Sequence, residues 1–150
     1  SVAAVVAGGP LLIRRSRGYV PRAVRLAAPV HTPVLGTGAL LKNTFCLASG
    51  AEAFLGPHIG DLENLETYRS LESSVARLSR FLDITPELVA CDLHPDYLST
   101  MFAEQQRLPL VRVQHHHAHI VSAMAEHGLA GPVIGVAYDG TGFGTDGTSW

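Results

Sequence analysis

Residues 87–128 read ELVACDLHPDYLSTMFAEQQRLPLVRVQHHHAHIVSAMAEHG. This stretch decides the fold. Glu87 to Asp92 is a short apolar run of the kind that forms a buried strand, and Pro95 to Gln106 has a proline in the place suited to a first helical turn. Pro109 to Val113 repeats the strand signature. A further helix is expected from about His116 to His127, stopped by Gly128. Strand, helix, strand and helix in succession imply an α/β sheet with parallel members.

Working upstream, Leu65, Tyr68, Val75, Leu78 and Leu82 recur at three- and four-residue intervals. They predict a helix from about Glu63 to Leu82, with Asp61 placed to cap its start and Asp83 and Pro86 to end it. Before it, VLGTGALL, NTFCLAS and AEAFLG lie between Val34 and Leu55, punctuated by Gly36, Gly38, Gly50 and Gly56. Runs this short fit two or three consecutive antiparallel strands. Residues 1–13 carry the turn signal Gly8-Gly9-Pro10, and an arginine-rich, proline-rich segment follows with no period, so a domain boundary is expected at residues 33 and 34. Downstream, Val133 to Tyr138 is predicted as a strand leading through a Gly-rich hairpin toward Trp150. The expected order is β-β-β-α-β-α-β-α, then the start of a new hairpin.

The 150 residues are 47% apolar and 16% charged, enough for one ordinary core and too little charge for disorder. No apolar run approaches the roughly 20 residues that span a bilayer, and the start has no secretory pattern, so a cytoplasmic protein without membrane contact is expected. Because the chain stops at Trp150 inside an apparent hairpin, we expect a piece of something longer. Cys46 and Cys91 lie far apart outside any CxxC pair, which suits buried structural thiols rather than a disulfide or cysteine zinc site. Arg14, Arg15, Arg17, Arg22 and Arg25 form a local basic bias that suits a phosphate or a solvated linker; nucleic acid is not expected.

The strongest chemical signal is Gln114-His115-His116-His117-Ala118-His119. Helical positions four apart differ by about 40° and about 6 Å, so His115 and His119 point the same way and can share one metal ion. His117 falls on the opposite face. Asp139 ends the predicted strand after this helix, where α/β sheets place ligands, and completes a candidate set of His115, His119 and Asp139. Such donors suit zinc, iron or nickel. A histidine cluster that merely opens a helix is the plainer alternative.

Asp139-Gly-Thr-Gly-Phe-Gly-Thr-Asp-Gly147 has glycines that let backbone N–H groups approach a phosphate, with Thr141 adding a hydroxyl. Residues 142–147 formally satisfy GxGxxG, but no helix follows, and the P-loop ending is missing. Gly36-Thr-Gly38 followed by Lys42-Asn43-Thr44 is a second, weaker phosphate candidate. An ordinary turn and a surface lysine are the plainer readings of the two loops. Asp92, His94 and Asp96 follow a predicted strand and are further site candidates, although Asp96 also suits helix capping. No Ser/His/Asp or Cys/His nucleophile arrangement follows from spacing.

Five motifs, Leu40-Leu-Lys-Asn-Thr-Phe-Cys-Leu47, His58-Ile-Gly-Asp-Leu-Glu-Asn-Leu65, Cys91-Asp-Leu-His-Pro-Asp-Tyr97, Val113-Gln-His-His-His-Ala-His119 and Asp139-Gly-Thr-Gly142, resemble the HypF carbamoyltransferases in order and spacing. The resemblance covers residues 14–150. It implies that residues 1–33 are the end of a YrdC-like domain and linker, 34–131 the first lobe of a TsaD-like domain of the actin/Hsp70/sugar-kinase fold group, and 132–150 the start of the second lobe. It also implies a divalent metal, zinc or iron, on His115, His119 and Asp139, with a further ligand outside the chain. Lys42, Asn43, Thr44, Gly140, Thr141 and Gly142 would face nucleotide phosphates across one cleft. The implied reaction uses carbamoyl phosphate and ATP, passes through carbamoyl adenylate, and delivers the carbamoyl group to the C-terminal cysteine of the partner HypE for the cyanide ligands of nickel-iron hydrogenases. By the same resemblance, this chain alone would lack complete activity. A tRNA threonylcarbamoyl transferase, a noncatalytic nucleotide- or metal-binding module and a structural domain are the alternatives.

Overall fold

The computed structural model describes residues 1–16 and 18–150; Arg17 of the basic segment lies outside the described residues. An antiparallel hairpin of β1 (Val2–Val6) and β2 (Gly9–Arg14) comes first. The main sheet follows, built from β3 (Ala23–Gly36), β4 (Cys46–Leu55), β5 (Leu88–Asp92) and β6 (Leu110–Val113). Its spatial order is β4-β3-β5-β6, with β3 antiparallel to β4 and parallel to β5, and β5 parallel to β6. The helices are α1 (Leu65–Leu82), α2 (Leu98–Gln105) and α3 (His115–Glu126). This is an α/β fold with a mixed sheet.

The expected three-strand meander is instead a pair of long strands. β3 starts eleven residues before Val34 and runs across the expected boundary at residues 33 and 34. Pro29 and Pro33 are tolerated because its register with β4 shifts between Arg25 and Val30 and again between Val30 and Val34, where ladder N–H groups are not required. β4 likewise continues through Gly50, which takes a left-handed φ of 55° opposite Val30 instead of ending the strand. Asn43, expected within a strand, makes only an isolated bridge to Gly60.

Val133 to Tyr138 is not a strand. An extended segment needs a neighbour for its N–H and C=O groups, and none of the described strands pairs with it. Against the described residues its apolar side chains find little cover, with Ile134 and Tyr138 each 98% exposed. The hairpin beyond it does form: Gly142 and Trp150 exchange backbone hydrogen bonds at 3.0 and 2.8 Å, and Phe143 bridges Ser149.

The core gathers Leu35, Phe45, Leu47, Val89 and Cys91 of the sheet and its loops with Leu71, Val75 and Leu78 of α1 and Phe102 and Ala103 of α2. Leu71, Val75 and Leu78 supply the fully buried stripe of α1, whereas Leu65, expected on that stripe, is 61% exposed. The cap is Asn64, whose side chain accepts the Thr67 N–H at 3.0 Å, not Asp61, which accepts the Lys42 N–H at 2.6 Å. Asp83 closes α1 in the left-handed conformation, and Gly128 follows the end of α3 with φ 62°. Among the described residues, no helix is long and apolar enough to cross a membrane.

Candidate metal centre

The parallel part of the sheet places the site. Asp92 is the last residue of β5 and pairs with Val113, the last of β6. The Leu93 N–H continues that ladder to the Val113 carbonyl at 2.9 Å, so the chain leaves both strands at one edge. One residue later α3 begins, with Gln114 as its cap: the amide oxygen accepts the His117 N–H at 2.8 Å. Gln114 also reaches the Phe143 carbonyl at 3.4 Å and so ties the helix start to the C-terminal hairpin. Sequence reasoning passed over it because glutamine is not among the strong helix-capping residues.

His115 and His119 sit one helical turn apart, with their Nε2 atoms 3.2 Å from each other. Asp139 Oδ2 lies 2.7 Å from His115 Nε2 and 3.0 Å from His119 Nε2. The three residues singled out from spacing are therefore brought together, with one ligand atom from each inside 4.8 Å. Asp139 reaches this position from a segment outside any strand rather than from a strand end. Burial raises its carboxyl, but the Gly140 N–H and the two imidazoles outweigh burial and hold it below the ordinary carboxylate value. It is thus an anion at neutral pH, the form a cation needs.

The donor set fits a divalent cation. One carboxylate oxygen collects two imidazole nitrogens, and lone pairs aimed at one point are satisfied together by a metal ion. Tetrahedral bonds near 2.0–2.1 Å would set ligand atoms about 3.4 Å apart, a few tenths of an ångström wider than the spacing here. His116 and His117 stand outside the cluster. His117 is exposed, and His116 packs against Gly142, where an added Cβ would lie 2.7 Å from the imidazole Cε1.

Of the other site candidates, Asp92 enters the site directly, with Oδ2 2.6 Å from His115 Nδ1. His94 contributes its backbone N–H to Asp92 Oδ1 at 2.9 Å, while its ring stacks on Tyr97 with centroids 4.1 Å apart. Asp96 is exposed and does not cap α2, whose N-cap is Tyr97 without a side-chain bond. Tyr97 was not foreseen from sequence; burial raises its phenol, and the charges of Asp92 and Asp139 raise it further.

The two phosphate loops differ from their expectation in where their donors go. The Asn43 amide nitrogen donates to the Thr37 and Ala39 carbonyls, and the Thr44 hydroxyl to those of Gly56 and Pro57. These side chains close their own loop. Lys42 is exposed at its tip. In the second loop the Gly140 N–H bonds Asp139 Oδ1 at 2.8 Å and the Gly142 N–H bonds the Trp150 carbonyl, while Thr141 is exposed.

Comparison with known proteins gives this arrangement a family. The family described as the HypF Kae1-like domain matches residues 29–126. The chain belongs to the HypF family. It is 53% identical over 150 residues to the carbamoyltransferase HypF of Rhizobium leguminosarum bv. viciae, covering all of this chain and 20% of that protein. To the probable carbamoyltransferase HypF of Methanocaldococcus jannaschii it is 32% identical, again with 100% and 20% coverage. A crystal structure of full-length HypF in the phosphate- and nucleotide-bound form superposes with a TM-score of 0.93 at 47% identity, covering 99% of this chain and 20% of that one. The crystal structure of T. kodakarensis HypF superposes with a TM-score of 0.89 at 36% identity and the same coverages. The chain thus spans about a fifth of the length of these relatives.

Neither cysteine is placed as a nucleophile. Burial pushes the Cys46 thiol up to about 11, against a smaller lowering by a backbone hydrogen bond at Phe54, and burial likewise raises Cys91. At pH 8 the Cys46 thiolate is then about one part in a thousand. In the folded full-length protein, iodoacetamide at pH 8 is expected to leave Cys46 unmodified in peptide mass maps until denaturant is added. Rapid labelling of the native protein would contradict this burial.

Proposed function

We propose that this chain supplies the histidine half of a carbamoyl-transfer centre, in which His115, His119 and Asp139 hold zinc or iron. The observation that carries the reading is the convergence of those three side chains on one point in a member of a family whose relatives are named carbamoyltransferases. In this reading the full-length protein takes carbamoyl phosphate and ATP, forms carbamoyl adenylate, and delivers the carbamoyl group to the C-terminal cysteine of HypE in the cytoplasm. A relative crystallised in a phosphate- and nucleotide-bound form supports the nucleotide part. Because β3 runs unbroken from Ala23, the end of a YrdC-like domain with its linker is then residues 1–22, the first lobe of a TsaD-like domain residues 23–131, and the start of the second lobe residues 132–150.

When bound, the cation would polarise a carbamoyl or phosphate oxygen. The chain's own residues do the rest. His115 and His119 hold position from one helix face, and Asp139 supplies the negative charge. Lys42 and Thr141, exposed on their loops, are the groups left to meet phosphate oxygens. The thiolate that attacks comes from the partner, in keeping with the raised thiols of half-buried Cys46 and buried Cys91 on this chain.

The test uses full-length protein with the HypE tail, following carbamoylation of the tail cysteine by mass spectrometry alongside bound-metal analysis. The reading expects metal and transfer to be lost together in His119→Ala. Wild-type protein that transfers the carbamoyl group with no bound metal would overturn it.

A further inference from the structure

We propose that Asp92 is a positioning residue that fixes the ring of His115, so that its Nε2 lone pair, and not an N–H, faces the cation. The inference rests on the metal reading above and adds a residue to it. Asp92 is the buried end of β5, its side chain only 5% exposed, and both of its oxygens are engaged. Oδ1 accepts the His94 N–H at 2.9 Å, which orients the carboxylate, and Oδ2 faces His115 Nδ1 at 2.6 Å. The 2.6 Å approach of a carboxylate oxygen to a ring nitrogen is a hydrogen bond that His115 Nδ1 donates, which leaves the Nε2 lone pair for a cation bound between His115 and Asp139. The opposite nitrogen then points at His119 and Asp139, 3.2 and 2.7 Å away. A carboxylate behind a ligating imidazole also raises its basicity and holds its plane.

The support is one-sided. His119 is 54% exposed, and among the described residues no carboxylate backs its Nδ1. His115 is therefore the preset ligand of the pair, held by a strand end that is itself locked between β3 and β6. The aspartate cannot be replaced by its amide without loss. His115 Nδ1–H and the His94 N–H are two donors, and asparagine offers one acceptor and one further donor in their place.

Full-length protein carrying Asp92→Asn or Asp92→Ala is to be compared with wild type for zinc affinity, by competition with a chromophoric chelator, and for the visible spectrum of bound cobalt. We expect the zinc Kd to rise about 10–100-fold and the cobalt bands to change, with circular dichroism unaltered in the asparagine variant. Selective ¹⁵N-histidine labelling of the zinc-loaded wild type should show His115 with its proton on Nδ1 and its Nε2 bound to the metal, a readout that needs no variant to fold. A proton on Nε2, or a zinc Kd for folded Asp92→Asn within twofold of wild type while His119→Ala and Asp139→Asn weaken binding, overturns the role of Asp92 alone. Zinc affinity indifferent to His119→Ala and Asp139→Asn overturns the metal reading, and this proposal with it.

Discussion

His115→Ala is expected to weaken zinc binding by about a hundredfold and to abolish detectable carbamoyl transfer, with His119→Ala close behind. Apparent affinities of about 10–16 kcal/mol for four-ligand zinc sites assign roughly 3 kcal/mol to each ligand, which is about two decades in Kd. The effect at His115 should be the larger one, because its side chain is 16% exposed and already touches a second carboxylate, whereas His119 is 54% exposed. The two losses should not add in the double variant, since both side chains act through Asp139 Oδ2 and are thereby coupled. His117→Ala is the control. It changes an imidazole only two positions from His115, exposed and outside the cluster, and should leave both metal content and transfer unchanged. Metal analysis with chelator competition reads all four variants, and equal effects at His115 and His117 would exclude the site.

The histidine pair was legible because its signal is local. Helical periodicity alone puts His115 and His119 on one face, and the helix formed within one residue of its expected ends. β5, β6 and α1 were legible for the same reason, as short apolar runs or regular stripes bounded by strong punctuation. What the sequence did not reveal depends on partners distant along the chain. Ala23 to Pro33 has no period of its own and is a strand because β4 pairs with it, while Val133 to Tyr138 has a strand's composition and no strand beside it. Asp92 could be suspected from its place at a strand end, but its bond to His115 requires the parallel register of β5 and β6. The glycine-rich loops were legible only in part. Their glycines looked like room for a phosphate, and in both loops the backbone or side-chain donors meet other parts of the chain.

Gly38→Ala is the substitution expected to damage the fold most, at about 3 kcal/mol or more. Gly38 has φ 72°, where any side chain costs about 1–2 kcal/mol. A Cβ there would also press into the Thr44 carbonyl oxygen and lie 2.9 Å from the Asn43 amide nitrogen. Neither neighbour can yield cheaply. The Asn43 amide is buried and bridges the Thr37 and Ala39 carbonyls at 2.9 and 2.7 Å, and the Asn43 backbone takes the Ile59 N–H and donates to Gly60. Moving Thr44 would shift Phe45, which is fully buried beneath Gly56 in the core. Gly50→Ala separates the two effects, because Gly50 has φ 55° with nothing within 4 Å of an added Cβ and should lose only the conformational part, about 1 kcal/mol. Urea unfolding of full-length protein measures both as shifts in midpoint at constant slope. If Gly38→Ala proved no worse than Gly50→Ala, the close approach of Gly38 to Thr44 and Asn43 would not hold, and the structural account of its glycine would fail.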